Sequence, residues 1–158
     1  MKKANIGITE KNKKAVADQL SKILADEFVL YSKLLYAHWN IEGPDFHAAH
    51  LYLETLYNQQ QETVDAVAEK IRALGHYAPG QLNEFLKLTR LTEKTPAKYD
   101  SQTLYAALLE DYESIIVVLR ENVDLFEEDY KAAGMSDFIT GLMEKHMQTA
   151  WMLRSHLV

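Results

Sequence analysis

The chain has no cysteine among its 158 residues. Disulfide staples, thiolate metal sites and cysteine nucleophiles are excluded, and the absence fits a reducing, cytoplasmic setting. Glycine and proline are sparse, at 6 and 3. So few turn formers argue against a fold built from many short strands and favour long, uninterrupted helices. No apolar run approaches the roughly 18 residues of a membrane span, so no membrane association is expected. The opening MKKANIGITE has lysines but no apolar segment, and no signal peptide is read there. Basic residues are outnumbered, 17 against 23 acids, for a formal net charge of -6. An acidic surface repels nucleic acid unless its basic residues are segregated in one place.

What remains is a chain that is 47% apolar, enough for one sizeable core and one domain. Residues 1–10 read as a short tail, and residues 11–158 as an all-α domain. A first helix from about residue 11 to 40 carries Leu20, Ile23, Leu24, Tyr31, Leu34 and Leu35 at helical spacing. Glu27 falls on that stripe, where a buried ion pair or inter-subunit contact is the expectation. Gly43-Pro44 breaks the chain, with Asp45 at or near the next N-cap. A second helix, about 46–74, follows with Leu53, Leu56, Val64, Val67, Ile71 and Leu74. The segment 76–100 is too long for a hairpin turn. It contains an apolar cluster, Leu82, Phe85, Leu86 and Leu88, that predicts a short helix within a crossover. A third long helix is expected from Ser101, as its N-cap, to about 129. A break is expected at Ala132-Ala133-Gly134, and a fourth helix from about 136 to 157.

The stretch from Ala37 to Gly75 carries the chemistry. His50, Glu54, Asp65 and Glu69 all lie within about 100° of arc on the second helix, away from its core stripe. His50 and Glu54 are one turn apart, as are Asp65 and Glu69. The two pairs, however, are separated by about 16 Å along the axis. Metal–ligand bonds are only about 2.0–2.6 Å long. One helix therefore cannot bring both pairs to one ion, but an antiparallel second copy can. Pairing 50 with 69 and 54 with 65 puts a two-fold axis near residues 59–60, with Asn58 and Gln61 beside it. His38, on the continuation of the first helix's stripe, joins the His50/Glu54 half. Two imidazoles and three carboxylates suit divalent iron, manganese or zinc. Di-iron sites inside a single bundle use Glu-x-x-His. Here the residues three before each histidine are Leu35, Pro44, His47, Ala73, Met143 and Leu153, and none is a carboxylate.

The run His38-Trp39-Asn40, Gly43, Phe46, His50, Glu54, Asp65-x-x-x-Glu69 and Ile71-x-x-Leu74-Gly75 resembles the Dps family of mini-ferritins, over about residues 12–157. Glu54 stands where many members have Asp. The resemblance implies a ferritin-like four-helix bundle with a short helix in the crossover. It also implies a hollow dodecamer built from antiparallel dimers, with a non-haem iron site between subunits. The function it implies is a ferroxidase that oxidises Fe(II), preferably with hydrogen peroxide, stores ferric oxide and limits oxidative damage. His38, His50, Glu54, Asp65 and Glu69 are then the iron ligands. Trp39 matches an aromatic that takes up oxidising equivalents, and Asp137 falls near an acidic pore for iron entry. The alternative is a DNA-compacting, nucleoid-associated protein with a secondary metal site, using Lys2, Lys3, Lys11, Lys13 and Lys14. A short N-terminal tail, no C-terminal tail and the negative charge favour weak DNA binding at most.

Overall fold

The structure is a computed structural model that describes residues 4–157. Among the described residues there are helices and no strands. The elements are α1 (Glu10–Asn40), α2 (Phe46–Ala73), α3 (Leu82–Leu88), α4 (Ser101–Asp124), a π-helical turn (Leu125–Asp129) and α5 (Ala133–Ser155). Among the described residues, no helix is long and apolar enough to cross a membrane. The expected four long helices and short crossover helix are all present.

Side-chain and backbone pairings give the topology. Glu27 meets Gln60 and His38 meets His50, so α1 and α2 run antiparallel. Glu42 pairs with Tyr99, Lys33 with Asp111 and Asn12 with Tyr130, so α4 runs antiparallel to α1 and therefore parallel to α2. Arg154 meets Glu113 and Ser136 meets Val123, so α5 returns antiparallel to α4. The long connection from α2 to α4 is thus a crossover along the bundle, as anticipated.

That crossover is strapped to α1. Asp26, buried in α1, accepts from Thr89 Oγ1 at 2.9 Å, from the Arg90 amide at 2.6 Å and from Arg90 Nε at 2.8 Å. Phe28 stacks on Phe85 of α3 with ring centroids 4.3 Å apart. Lys33 donates to the Thr92 carbonyl and forms an ion pair with Asp111.

Glu27 is completely buried. Its carboxylate accepts from Gln60 Nε2 at 2.5 Å and lies 2.9 and 3.1 Å from His146 Nε2. Gln60 also donates to the Glu27 carbonyl at 3.0 Å. A lone buried carboxylate costs several kcal/mol. Here α2 and α5 each supply a hydrogen-bond donor from within the chain, so Glu27 is a paired buried acid and no ligand role is needed. His146 follows Ile139, Leu142 and Met143 along the buried stripe of α5.

Several boundaries differ from expectation. The α4 cap is Asp100, not Ser101: its Oδ1 accepts from the Thr103 amide at 2.8 Å. Asp45 sits at the α2 cap position but makes no side-chain cap bond. The first helix begins one residue early, with Thr9 accepting from the Asn12 amide. The break before α5 lies at Lys131, whose φ is 54°, so Gly134 falls inside the helix, and α5 stops at Ser155. Lys13, expected in an exposed basic cluster, is 1% exposed. Its ammonium is held by Glu10 at 2.8 Å and by the Ala4 carbonyl. Lys2 and Lys3 lie outside the described residues.

Glu27→Ala leaves His146 and Gln60 without their acceptor and is expected to cost about 3–5 kcal/mol. Replacing Glu27, His146 and Gln60 together by leucine should cost far less. Apparent stability at fixed protein concentration checks both. The Asp100 carboxyl is held below its usual value by its bonds to Thr103. A depressed carboxyl stabilises the fold above its unfolded value and loses that contribution as pH falls through the folded value. Asp100→Ala should therefore lower the melting temperature at neutral pH, and the gap should narrow below about pH 3.8.

Candidate metal centre

The α1 core stripe runs through Leu30 and Leu34 to His38, which is 8% exposed. A five-residue linker, with Gly43 at φ 130°, turns the chain into α2. His50 in the second turn of α2 then comes face to face with His38. The two rings stack with centroids 3.8 Å apart and planes 21° apart. His38 Nδ1 lies 3.0 Å from the His50 carbonyl, and His50 Nδ1 lies 2.9 Å from the His38 carbonyl.

This reciprocal pairing sets the chemistry. A carbonyl oxygen only accepts, so Nδ1 is the protonated nitrogen on both rings. In the neutral imidazoles the lone pair is then on Nε2, the arrangement of a metal-ligating histidine oriented by its other nitrogen. Phe46 stacks on the outer face of His50 at 5.0 Å, and Tyr57 meets His38 edge-on at 5.1 Å. Glu54 is half-buried one turn beyond His50. The Tyr57 phenol is pushed above its usual range by desolvation and then by the Glu54 charge and hydrogen bond. Tyr57 therefore remains a donor that can hold the Glu54 carboxylate in place.

Asp65 and Glu69 are both exposed, farther along α2. Among the described residues, no three His, Cys, Asp or Glu side chains converge within one chain to hold a metal ion. One chain thus assembles His38 and His50, with Glu54 a turn away, and leaves Asp65 and Glu69 facing outward. Asn58 and Gln61, between the two pairs, are also exposed. Trp39 is 69% exposed beside His38. Asp137 is exposed and lies beyond the first turn of α5, past the region where the helix dipole favours an acid.

A family model described as a ferritin-like domain matches residues 17–158. The DNA protection during starvation protein of Helicobacter pylori is 31% identical over 138 residues, spanning 87% of this chain and 95% of that protein. This chain belongs to the Dps family of ferritin-like proteins. An uncharacterized low temperature-induced protein of Nostoc is 38% identical over 157 residues, covering 99% of this chain and 88% of that one. The structure of Mycobacterium smegmatis Dps superposes with a TM-score of 0.91 at 26% identity, over 99% of this chain and 94% of that one.

Three features of this Dps-family chain were not read from the sequence. Tyr57 lies seven residues beyond His50, two helical turns on, and that spacing could have exposed it. The stripe position of His146 could have revealed it as the partner of Glu27. The carbonyl pairing of the two rings had no signal, because it depends on how the linker closes. Solid-state NMR of 15N-histidine-labelled protein, with His38→Ala and His50→Ala variants for assignment, should show Nδ1–H as the neutral tautomer of both residues.

Proposed function

We propose that this Dps-family protein is a ferroxidase and iron-storage protein whose site forms between two antiparallel copies. Family membership supports iron storage and iron oxidation as the general role. The paired histidines, with both Nε2 lone pairs free, are the observation that carries the reading further. Fe(II) is the substrate. His38 and His50 supply nitrogen donors and Glu54 a carboxylate, while Asp65 and Glu69 come from the mate. Hard carboxylate oxygens favour the ferric state. Hydrogen peroxide accepts one electron from each of two ferrous ions and, with two protons, leaves as two waters, so no hydroxyl radical is released. Ferric product moves into the cavity of a dodecamer and is stored as oxide. Asp137 is a candidate for the iron entry path.

A second reading follows from the Helicobacter pylori relative's name, DNA protection during starvation protein. The buried Lys13 and the net charge of -6 leave little basic surface for DNA. Protection is therefore assigned to removal of iron and peroxide, with DNA contact weak at physiological salt.

Subunit mixing tests the shared site. His50→Ala alone and Asp65→Asn/Glu69→Gln alone should each lose about 100-fold or more in peroxide-driven Fe(II) oxidation, since outer-shell partners alone are worth about 10–100-fold. When the two variants are unfolded and refolded together, half of the dimers are mixed. Each mixed dimer has one intact site, so about a quarter of wild-type activity should return. A site inside one chain gives no recovery. The light-scattering mass should be near twelve times 18.1 kDa.

A further inference from the structure

Tyr36 and Tyr99 are 63 residues apart in sequence, yet their phenol oxygens lie 3.0 Å apart. The ring centroids are 6.3 Å apart, with planes 53° apart. Tyr36 is on the last full turn of α1, one turn before Trp39 and two residues before His38. Tyr99 immediately precedes the α4 cap, and its carbonyl accepts from the Glu42 amide at 3.0 Å. The pair therefore sits on the linker that closes the His38–His50 half-site. Tyr36 is 38% exposed and shares with Trp39 a surface groove of about 380 Å³, also lined by Lys33, Glu93 and Pro96. With no cysteine in the chain, tyrosine, tryptophan and methionine are the side chains left to take up stray oxidising equivalents.

We propose that Tyr36 and Tyr99 form an oxidative modification site, at which a carbon–carbon bond between the two phenol rings joins α1 to the crossover. This rests on the reading of His38 and His50 as the place where ferrous iron and peroxide meet. When two ferrous ions are bound together, they supply both electrons that one peroxide needs. When only one is bound, the second electron must come from elsewhere, and a nearby phenol supplies it with loss of its proton. Two such events oxidise Tyr36 and Tyr99 once each. The two ring radicals couple through the carbons ortho to their oxygens, and each coupled carbon then passes its hydrogen as a proton to its own ring oxygen, which restores the aromatic phenol. In total, two peroxides, two ferrous ions, two tyrosines and two protons give two ferric ions, one cross-linked pair and four waters. The bond fixes Tyr99, and with it the Glu42 contact in the half-site linker.

The experiment uses the assembled wild-type protein, Tyr99→Phe and His38→Ala/His50→Ala. One arm adds substoichiometric Fe(II) and then peroxide. The other uses a light-activated ruthenium complex with persulfate, a one-electron oxidant that needs no iron. Peptide mass spectrometry seeks the Tyr36 and Tyr99 peptides joined with loss of two hydrogens. Wild type should form this link within one chain in both arms, and Tyr99→Phe in neither. The histidine variant should form it only in the photochemical arm. Failure of folded wild type to link in the photochemical arm overturns the modification site whatever the iron chemistry. Linkage of wild type by light but not by iron overturns iron and peroxide as the source. Iron-driven linkage that persists in the histidine variant overturns the role of the half-site.

Discussion

An α-helix advances about 1.5 Å per residue and cannot bend back within a few turns. That stiffness governs α2, an unbroken helix from Phe46 to Ala73. The eleven residues from Glu54 to Asp65 separate the two ligand pairs by about 16 Å, far beyond the reach of one ion. No side-chain rotamer closes that distance. The same stiffness holds each half at a fixed pitch and angle, which is what the proposed pairing with an antiparallel copy requires. On the proposed reading, a property of the backbone converts a ligand list into a requirement for assembly.

The half-site depends in turn on how α1 is set against its neighbours. His38 lies on the stripe that packs Leu30 and Leu34, and a one-residue slip would rotate it by about 100°. Apolar packing alone specifies register weakly, because one aliphatic side chain substitutes for another at small cost. Polar contacts at fixed positions discriminate more sharply. Gln60 and His146 both address Glu27, and Thr89 with Arg90 addresses Asp26 on the adjacent residue. These two neighbouring acids fix α1 against α2, α5 and the crossover. A slipped register would leave buried carboxylates without donors, at a cost of several kcal/mol.

Most of the fold was legible because helical periodicity is a local property. The four long helices and the crossover helix followed from apolar spacing, and the inward position of His38 followed from the same stripe. Helix ends were less legible. Ser101 and Asp100 are both good caps, and only the bond to Thr103 distinguishes them. Lys13 read as part of a basic cluster because its burial depends on the Ala4 carbonyl folding back over it. The candidate ligands were legible as residues on one face, but their readiness was not. Neither the Nδ1–carbonyl pairing nor the Tyr57 contact has a sequence period, since both arise where two helix ends meet.

The lack of cysteine takes on a different meaning beside this half-site. Peroxide oxidises thiolates readily, so a chain without thiols has no soft target of that kind. What it places around His38 instead is aromatic: Trp39 next in sequence, Tyr57 against the ring, and Tyr36 a half-turn away. Tyr57 packs edge-on against His38 one turn from Glu54, so its oxidation would disturb the half-site directly. Tyr36 and Tyr99 are hydrogen-bonded to each other at the rim of a surface groove, so a change there remains local. On the proposed reading, the aromatic groups nearest the ligands position them. The hydrogen-bonded pair one step outward receives what the iron cannot.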